Sequence, residues 1–461
     1  MRLRQGALAV VLFLTAGVCS SVAGENVEVM HAVVDAAEQP RLEGWRLSEL
    51  FERALAHDDR WVAAQARQRA SREVLPIARS RLLPQLHLSG SVGAAEREHA
   101  GPFGGMEENQ FEPRSARIEL RQPLVNLTAL SALRMAHRER DIAAYELALE
   151  RQELLLRVID AYMALLLAQE QLELVRLQLQ AIDAQRNQAE RMWAGGVATQ
   201  ADVQEAQARL DLVRARELEA LNQRDIRRRE LYMLTGVDEA TVQRLDSRIE
   251  LARPEPDSMR PWVELAREQS FEARISALVE QSAIHGLSRA RSQYYPTLDL
   301  VVSHQRLHDS EAGYRRDRTD RAMLELRMPL YQGGRVRAET REASARHEEM
   351  VARSRHAREQ SGLAAGSAWL DLGASLARLA ALEQAVHSSE VALRGAEVSL
   401  TVAYRTFVDV LNAQQQLYQA RFERLEARID YMRAWARLRA AIGTLDDSVV
   451  HEIDSWLEER E

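Results

Sequence analysis

The residue clusters that could support catalysis lack the spacing that catalysis needs. His347-Glu348-Glu349-Met350 begins like the helix of a zinc protease, but no second histidine completes it. The single cysteine, Cys19, cannot form a metal-binding pair, and no glycine-rich loop has the spacing that holds a phosphate. Asp58-Asp59 and Asp446-Asp447 fall at predicted helix ends, where carboxylates commonly serve as caps. The sequence therefore predicts no catalytic residue, no metal site, no cofactor and no enzyme.

The composition also limits the partners of the chain. With a net charge of -8 at pH 7, the chain lacks the basic balance of a nucleic-acid-binding protein. Only 5% of the residues are aromatic, which is low for an aromatic-lined ligand pocket and compatible with long helices. We therefore expect no nucleic-acid partner.

The first 23 residues have the pattern of a secretory signal peptide. Two arginines precede an apolar stretch from Ala7 to Val18, which is too short to span a bilayer. Small residues up to Ala23 provide a cleavage site, so residues 24–44 would form an N-terminal arm of the mature chain. Two alternatives are a membrane anchor that stays attached and a lipoprotein acylated at Cys19. No later stretch has about 18 uninterrupted apolar residues, so no membrane-spanning helix is predicted.

The sequence contains one structural unit twice. The segment from Asp202 to Gly236 aligns without a gap with the segment from Asp409 to Gly443, at an offset of 207 residues. A duplication at this distance predicts two similar halves of one larger object. We assign repeat 1 to residues 45–236 and repeat 2 to residues 262–443, with connectors at residues 237–261 and 444–461.

Each repeat contains two segments in which apolar and polar residues alternate. Leu86 and Leu88, for example, alternate with His87 and Ser89, which is the period of a strand with one apolar and one polar face. The segments between the strands are polar and are interpreted as surface loops. The predicted strands cover residues 85–92, 115–122, 297–303 and 321–328, and the predicted loops cover residues 93–115 and 304–321.

Long helices follow the strands in both repeats. Apolar residues from Leu154 to Ile182 recur at steps of three and four, the heptad pattern of a coiled coil. Residues 126–192 contain no proline or glycine, so they could form one helix about 100 Å long at 1.5 Å per residue. Gly195 and Gly196 then form a turn at the helix tip. The fold class is mainly α, with two tandem repeats that each combine a β-hairpin with long coiled-coil helices.

Two architectures are compatible with strands beside such long helices. In a soluble protein, the strands would form an ordinary antiparallel sheet. In an outer membrane, they must close into a barrel, because lipid cannot satisfy an open strand edge. Four strands are too few to close a barrel alone, so the membrane architecture requires several copies of the chain. The polar strand faces would then line a wet lumen.

The helical tips and the strand–helix junctions resemble those of the TolC-type outer-membrane efflux proteins. The resemblance rests on the run from Ala403 to Ala413, on Gly196-Val197 with Asp202-Val203, and on Pro329-Leu330-Tyr331-Gln332-Gly333-Gly334. It implies a homotrimer in which each chain gives four strands to a twelve-stranded membrane β-barrel and its helices to a periplasmic α-barrel. The two connectors would form part of an equatorial collar. Four prolines would mark the junctions between strands and helices: Pro84, Pro123, Pro296 and Pro329.

The resemblance also implies a gate at the periplasmic tip. Arg405 would be the gate arginine, Asp202 its partner, and Asp409 part of an acidic ring at the pore entrance. The family's second entrance aspartate is Asn412 here, and a tyrosine that latches the gate is Leu400. The ring would hold three carboxylates per trimer instead of six. This chain would then close less tightly or close by other contacts.

The function implied by the resemblance is that of a passive exit duct for efflux or type I secretion. Such a duct lies in the outer membrane, contacts its lipid, and has a long periplasmic extension. It docks a periplasmic adaptor and an inner-membrane transporter, which supplies the energy. The alternative function is that of a soluble periplasmic coiled-coil adaptor or scaffold. An adaptor is expected to have one helical hairpin with compact β-domains, whereas this sequence has two hairpins that each follow strands.

Overall fold

The computed structural model describes residues 44–100, 106–246, 251–308, 316–401 and 404–458. The predicted signal peptide and residues 24–43 of the predicted N-terminal arm lie outside these residues, as does Cys19. Among the helices of the described ranges, none is both long enough and apolar enough to cross a membrane.

The first half of the chain runs from two short helices through paired strands into two long helices. Its helices are α1 (Leu47–His57), α2 (Asp59–Ser80), α3 (Leu127–Ala194) and α4 (Gln200–Thr235). Its strands are β1 (Gln85–Val92), β2 (Ala95–Ala100), β3 (Met106–Phe111) and β4 (Arg114–Val125), followed after α4 by the short β5 (Arg244–Leu245).

The second half has the same order of helices. They are α5 (Met259–Gln269), α6 (Phe271–Ser292), α7 (Arg335–Thr401), α8 (Phe407–Ala441) and a final short α9 (Asp447–Asp454). The strands are β6 (Thr297–His308), β7 (Arg316–Arg327) and β8 (Leu457–Glu458). Helix lengths match in pairs: α1 and α5 have 11 residues each, α2 and α6 have 22 each, α3 and α7 have 68 and 67, and α4 and α8 have 36 and 35.

A capping residue separates the two short helices in each half. The Asp58 carboxylate accepts the backbone N–H of Trp61 at 2.8 Å and so begins α2. Ser270 has the same position before α6, where its hydroxyl accepts the N–H of Ala273 at 3.2 Å. Both residues have extended backbone ψ angles, which end the preceding helix. The helical region that opens each half of the chain is therefore two helices.

Four antiparallel strands form the main sheet, in the order β1-β4-β6-β7. Leu88 lies opposite Ile118, Leu120 opposite Val302, and Leu300 opposite Leu324, so the apolar residues share one face. This face is open: Leu88 is 77% exposed and Leu324 64%. In the described part of the chain, β1 and β7 each have one edge without a partner strand.

The opposite face of the sheet carries a network of charges centred on Arg121. Its Nη1 donates to the carboxylates of Asp299 and Glu325, each at 3.1 Å. Its Nη2 donates to Glu119 at 3.4 Å. These partners lie on β4, β6 and β7, so one guanidinium ties three strands together. The polar strand positions thus form a connected ionic surface opposite the apolar one.

The two predicted loops are wrong over much of their length. Residues 93–115 include β2 and β3, which pair with each other, and residues 304–321 include the outer ends of β6 and β7. These segments lack the apolar alternation on which the strand prediction depended. A hairpin needs only backbone pairing, however, and polar side chains are stable in a strand when both faces are wet.

One predicted junction proline also lies elsewhere. Pro123 is inside β4, at the point where the pairing register with β6 shifts between Pro123 and Val125. A proline has no N–H to donate to the ladder, so a register irregularity accommodates it. Pro84, Pro296 and Pro329 lie between helices and strands, outside both.

The main hydrophobic core lies where α1, α5 and α9 pack on the middle of the long helices. Tyr162 of α3 is fully buried there; its hydroxyl donates to the Trp45 carbonyl at 3.1 Å and accepts the Gln243 N–H at 3.2 Å. Burial raises the pKa of Tyr162 well above its usual value. Asp454 of α9 accepts the N–H of Leu47 at 2.9 Å. The last described helix thus caps the first.

Candidate functional site at the helical tips

The two long helical hairpins turn in the same way at their tips. In the first, the Val197 N–H donates to the Met192 carbonyl at 2.8 Å. The second has the matching bond from the Tyr404 N–H to the Ser399 carbonyl at 2.9 Å. Gly196 has a φ of +75°, a left-handed conformation that side chains rarely adopt. The predicted tip turn at Gly195 and Gly196 is therefore where the chain leaves α3.

A capping box begins the returning helix of each hairpin. The N–H and hydroxyl of Thr199 donate to Asp202 Oδ2 at 2.9 and 2.8 Å, and the Asp202 N–H donates back at 3.2 Å. Thr406 and Asp409 repeat this geometry at 2.9, 2.8 and 3.3 Å. Asp202, predicted in the gate, and Asp409, predicted at the pore entrance, thus each hold a helix N-terminus.

The hydrogen bonds from Thr406 lower the pKa of the exposed Asp409 carboxyl, first from its backbone and then from its hydroxyl. The nearby Arg405 guanidinium lowers it further. Asp409 is consequently anionic at neutral pH, at the position where the pore entrance was predicted. A capped carboxylate can still attract cations, because both bonds that it accepts from Thr406 fall on one of its oxygens, Oδ2.

The proposed gate pair, Asp202 and Arg405, is not joined within a single chain. In the described residues no ion pair connects them, and the Asp202 carboxylate is directed to Thr199. Arg405 is exposed in the turn that precedes α8. Both groups lie at the tips of the hairpins, and their pairing stays a prediction.

Asn412, predicted at the pore entrance, bonds to a residue that the sequence did not single out. Arg209 of α4 donates from Nη2 to Asn412 Oδ1 at 3.0 Å and from Nη1 to Gln415 Oε1 at 2.6 Å. Its Nε donates to Glu205, on the same helix, at 2.9 Å. The four-residue spacing of Glu205 and Arg209 indicated only a pair within one helix. The contact with α8 spans 203 residues and depends on how the hairpins pack.

A small apolar cluster lies beside this polar contact and includes all four long helices. Leu400 of α7, at the position where the resemblance implied a latch tyrosine, packs against it. Ala189 comes from α3 and Ala206 from α4, and both are fully buried. Phe407 and Leu411 of α8 are buried against them. The tip therefore has both an apolar and a polar contact between the hairpins.

The described residues contain no group of three or more histidine, cysteine, aspartate or glutamate side chains placed to bind a metal ion. The tip carries charge and hydrogen bonds but no set of metal ligands. Its geometry is suited to holding helices together and to attracting cations.

Comparison with known proteins identifies the family. The family described as "Outer membrane efflux protein" matches residues 50–237 and 262–444. The chain is 30% identical over 408 residues to the alkaline protease secretion protein AprF of Pseudomonas aeruginosa, covering 86% of this chain and 84% of AprF. It is 29% identical over 419 residues to the outer membrane protein TolC of Vibrio cholerae, covering 89% of this chain and 93% of TolC.

Solved structures show the same fold. The outer membrane protein VceC of Vibrio cholerae superposes with a TM-score of 0.75 at 20% identity, covering 87% of this chain and 97% of that one. The CmeC outer membrane channel of Campylobacter jejuni superposes with a TM-score of 0.75 at 15% identity, covering 89% of this chain and 90% of CmeC. With a family match over most of its length and a relative at 30% identity, this chain belongs to the outer membrane efflux protein family.

Proposed function

We propose that three copies of this chain assemble into the exit duct of an efflux or type I secretion system. The chain resides in the outer membrane and extends far into the periplasm. Each copy would give β1, β4, β6 and β7 to a twelve-stranded barrel and its long helices to a periplasmic α-barrel. Substrate would pass through passively, without catalysis by the duct, and an inner-membrane transporter would supply the energy.

The open four-stranded sheet is the observation that carries the proposal. Its apolar face is exposed, and within the described residues β1 and β7 each leave one edge unpaired. In lipid, each unpaired backbone group costs several kcal/mol, so the two edges must find partners. Copies arranged around an axis would pair β7 of one chain with β1 of the next and close the sheet.

Exposed apolar stripes on the helices also favour copies packed side by side. On α7, four exposed residues recur at multiples of seven, which is the spacing of a coiled-coil seam. A similar stripe runs along α4. Such surfaces need a partner in water, and neighbouring copies provide one. The residues are Leu363, Leu370, Val391 and Val398 on α7 and Leu212, Ile226 and Met233 on α4.

The assembly and the alternative function are tested together. A duct will be found in the outer-membrane fraction, and native mass spectrometry of the detergent extract will give the mass of three mature chains. A coiled-coil adaptor will instead be recovered in the soluble periplasm. The family match over both halves of the chain favours the duct.

The gate assignments are part of the proposal. An Asp202–Arg405 bond between hairpins, repeated around the trimer, would bias the tip toward the closed state. Arg405→Ser or Asp202→Ala is then expected to raise single-channel conductance in planar bilayers. Unchanged conductance in both variants would remove the pair from the gate.

The acidic ring is tested separately. Three Asp409 carboxylates in a narrow entrance would concentrate cations. Because Asn412 is neutral, the ring would have no second set of three carboxylates. Asp409→Ala is expected to weaken block by multivalent cations. Since this substitution also removes a helix cap, Thr406→Ala serves as the control, because it weakens the same cap and keeps the Asp409 carboxylate. An Asp409→Ala channel that is blocked as strongly as the wild type would place the residue outside the entrance.

The partners would be a periplasmic adaptor and an inner-membrane transporter, which can be identified by co-purification after crosslinking in cells. The name of AprF points to secreted proteases as one class of cargo. Restoration of protease secretion in a strain that lacks its own duct would support this cargo. Restoration of drug resistance alone would indicate efflux.

A further inference from the structure

We propose that Arg209 and the apolar cluster beside it form the latch that holds the two hairpins of each chain together at the tip. This inference rests on the proposed function, because a latch has meaning only in a duct that opens. It assigns a positioning role to Arg209, and it gives Leu400 apolar partners in the cluster.

The guanidinium of Arg209 is well matched to its acceptors. Asn412 and Gln415 are three residues apart on α8, so both carbonyl groups lie on one helix face. The planar fork reaches them with its two terminal nitrogens at 3.0 and 2.6 Å. Glu205 fixes the third nitrogen at 2.9 Å and so orients the fork from its own helix. A lysine ammonium lacks this geometry.

The neutral amide at position 412 changes the character of the bond. An aspartate there would form an ion pair with Arg209, whose strength falls with added salt. Asn412 accepts a hydrogen bond without neutralising the arginine. The charge of Arg209 is balanced by Glu205 of its own helix, and Asn412 serves the latch as an acceptor rather than as part of the acidic ring.

The apolar part of the latch has small residues on one hairpin and large residues on the other. Ala189 and Ala206 leave room for Phe407 and Leu411 to reach the first hairpin, and Leu400 covers them. Separating the hairpins would expose these buried side chains to water, which opposes opening. A tyrosine at position 400 would have to bury its hydroxyl or turn it toward solvent, whereas the leucine side chain needs no hydrogen-bond partner.

The packing loosens immediately beyond the fork. A cleft of about 200 Å³ separates α3 and α4 from α8, and Gln415 lines it together with Gln178 and Tyr418. The hairpins are thus joined at the fork and the cluster, with open space on the far side. Loss of these contacts would free the tips to separate.

Single-channel recording of matched variants tests the inference. Arg209→Gln and Leu400→Ala are expected to raise conductance several-fold, Arg209→Lys to raise it less, and Asn412→Asp to lower it at low salt. Arg214→Gln is the control, because Arg214 lies on the same helix and pairs with Asp211 of its own helix at 3.1 Å. We expect its conductance to equal that of the wild type.

Two outcomes would overturn the latch, and each is distinct from failure of the duct. If wild-type protein conducts and Arg209→Gln conducts equally, Arg209 does not hold the tip. If Arg214→Gln raises conductance as much as Arg209→Gln, the effect comes from lost charge on α4 rather than from the fork. Trimers that never conduct, either as wild type or as the Arg209→Gln and Arg405→Ser variants, would instead overturn the proposed function and the latch together. The heat stability of each trimer is measured on gels. A variant that conducts more and stays as heat-stable as the wild type has opened, whereas a variant with lower heat stability has partly unfolded.

Discussion

An arginine at position 88 tests which face of the sheet meets lipid. Leu88 is the fourth of the eight residues of β1, lies opposite Ile118, and is 77% exposed in the single chain. If this face contacts the hydrocarbon, Leu88→Arg places a charge near the bilayer midplane at a cost of about 2–4 kcal/mol. A trimer carries the substitution three times, so the assembled barrel loses about 6–12 kcal/mol.

His87 provides the control one residue away. Successive strand residues point to opposite faces, so His87→Arg puts the same side chain on the polar surface. His87 lies opposite Glu119, where an arginine gains an opposite charge worth about 0.2–1 kcal/mol. We expect this variant to assemble as well as the wild type.

The assay is the amount of heat-stable trimer in the outer-membrane fraction, followed by denaturant unfolding of the purified protein in lipid vesicles. Because about 1.4 kcal/mol corresponds to a factor of ten, Leu88→Arg should lower the folding equilibrium at least about 20-fold per chain. If both variants lost heat-stable trimer equally, or if His87→Arg lost more of it than Leu88→Arg, the assignment of the apolar face to lipid would be refuted.

Three further predictions concern stability. Gln414 is 5% exposed, and its amide oxygen has no hydrogen-bond partner among the described residues, so Gln414→Leu should raise the free energy of unfolding by about 1 kcal/mol; a lower melting temperature would contradict this. Asp58→Ala removes a buried cap and should cost about 1–2 kcal/mol, whereas Asp59→Ala, at an exposed neighbour, should cost less than about 0.5 kcal/mol in the same thermal melts. Burial raises the pKa of Tyr431 from 10.0 to about 12, which favours its neutral form in the folded state. Its contribution to stability should be complete below pH 10 and be lost as the pH rises toward 12, and tyrosinate absorbance, compared with Tyr431→Phe, measures this titration.

The strands and long helices were predictable because they follow simple periods. Leu86 and Leu88 alternate with polar neighbours over a strand that is apolar on one face, and the Leu154 to Ile182 seam follows the heptad of a packed helix. The heptad seam records burial between packed helices, whereas the strand alternation records an apolar face that the single chain leaves exposed. The helix end at Asp58, before α2, was predicted from its paired aspartates, whereas the break before α6 was missed, because Ser270 signals a cap only weakly when the helical pattern continues on both sides.

The tip was predictable only in part. Asp202 and Asp409 stand 207 residues apart in an ungapped repeat, and both belong to the same capping box, T-x-x-D. That motif was visible in the sequence and indicates a helix start more directly than a gate. Arg209 was beyond prediction, because its bond to Asn412 depends on the relative placement of two helices from different repeats.

The tips differ in what surrounds the shared cap. Arg405 corresponds to Ala198 in the first repeat, and Asn412 corresponds to Glu205. The carboxylate of Glu205 orients Arg209, and the amide of Asn412 receives it. The same position of the repeat thus contributes two of the three acceptors of this arginine, which joins the two hairpins within a chain.

The central claim is that copies of this chain enclose a water-filled passage through the outer membrane. Planar-bilayer recording of the detergent-extracted wild-type protein tests it most directly. We predict discrete conductance steps, one for each inserted trimer. Protein that inserts into the bilayer as an assembled trimer and remains electrically silent at every voltage, including in the Arg209→Gln and Arg405→Ser variants, would contradict it.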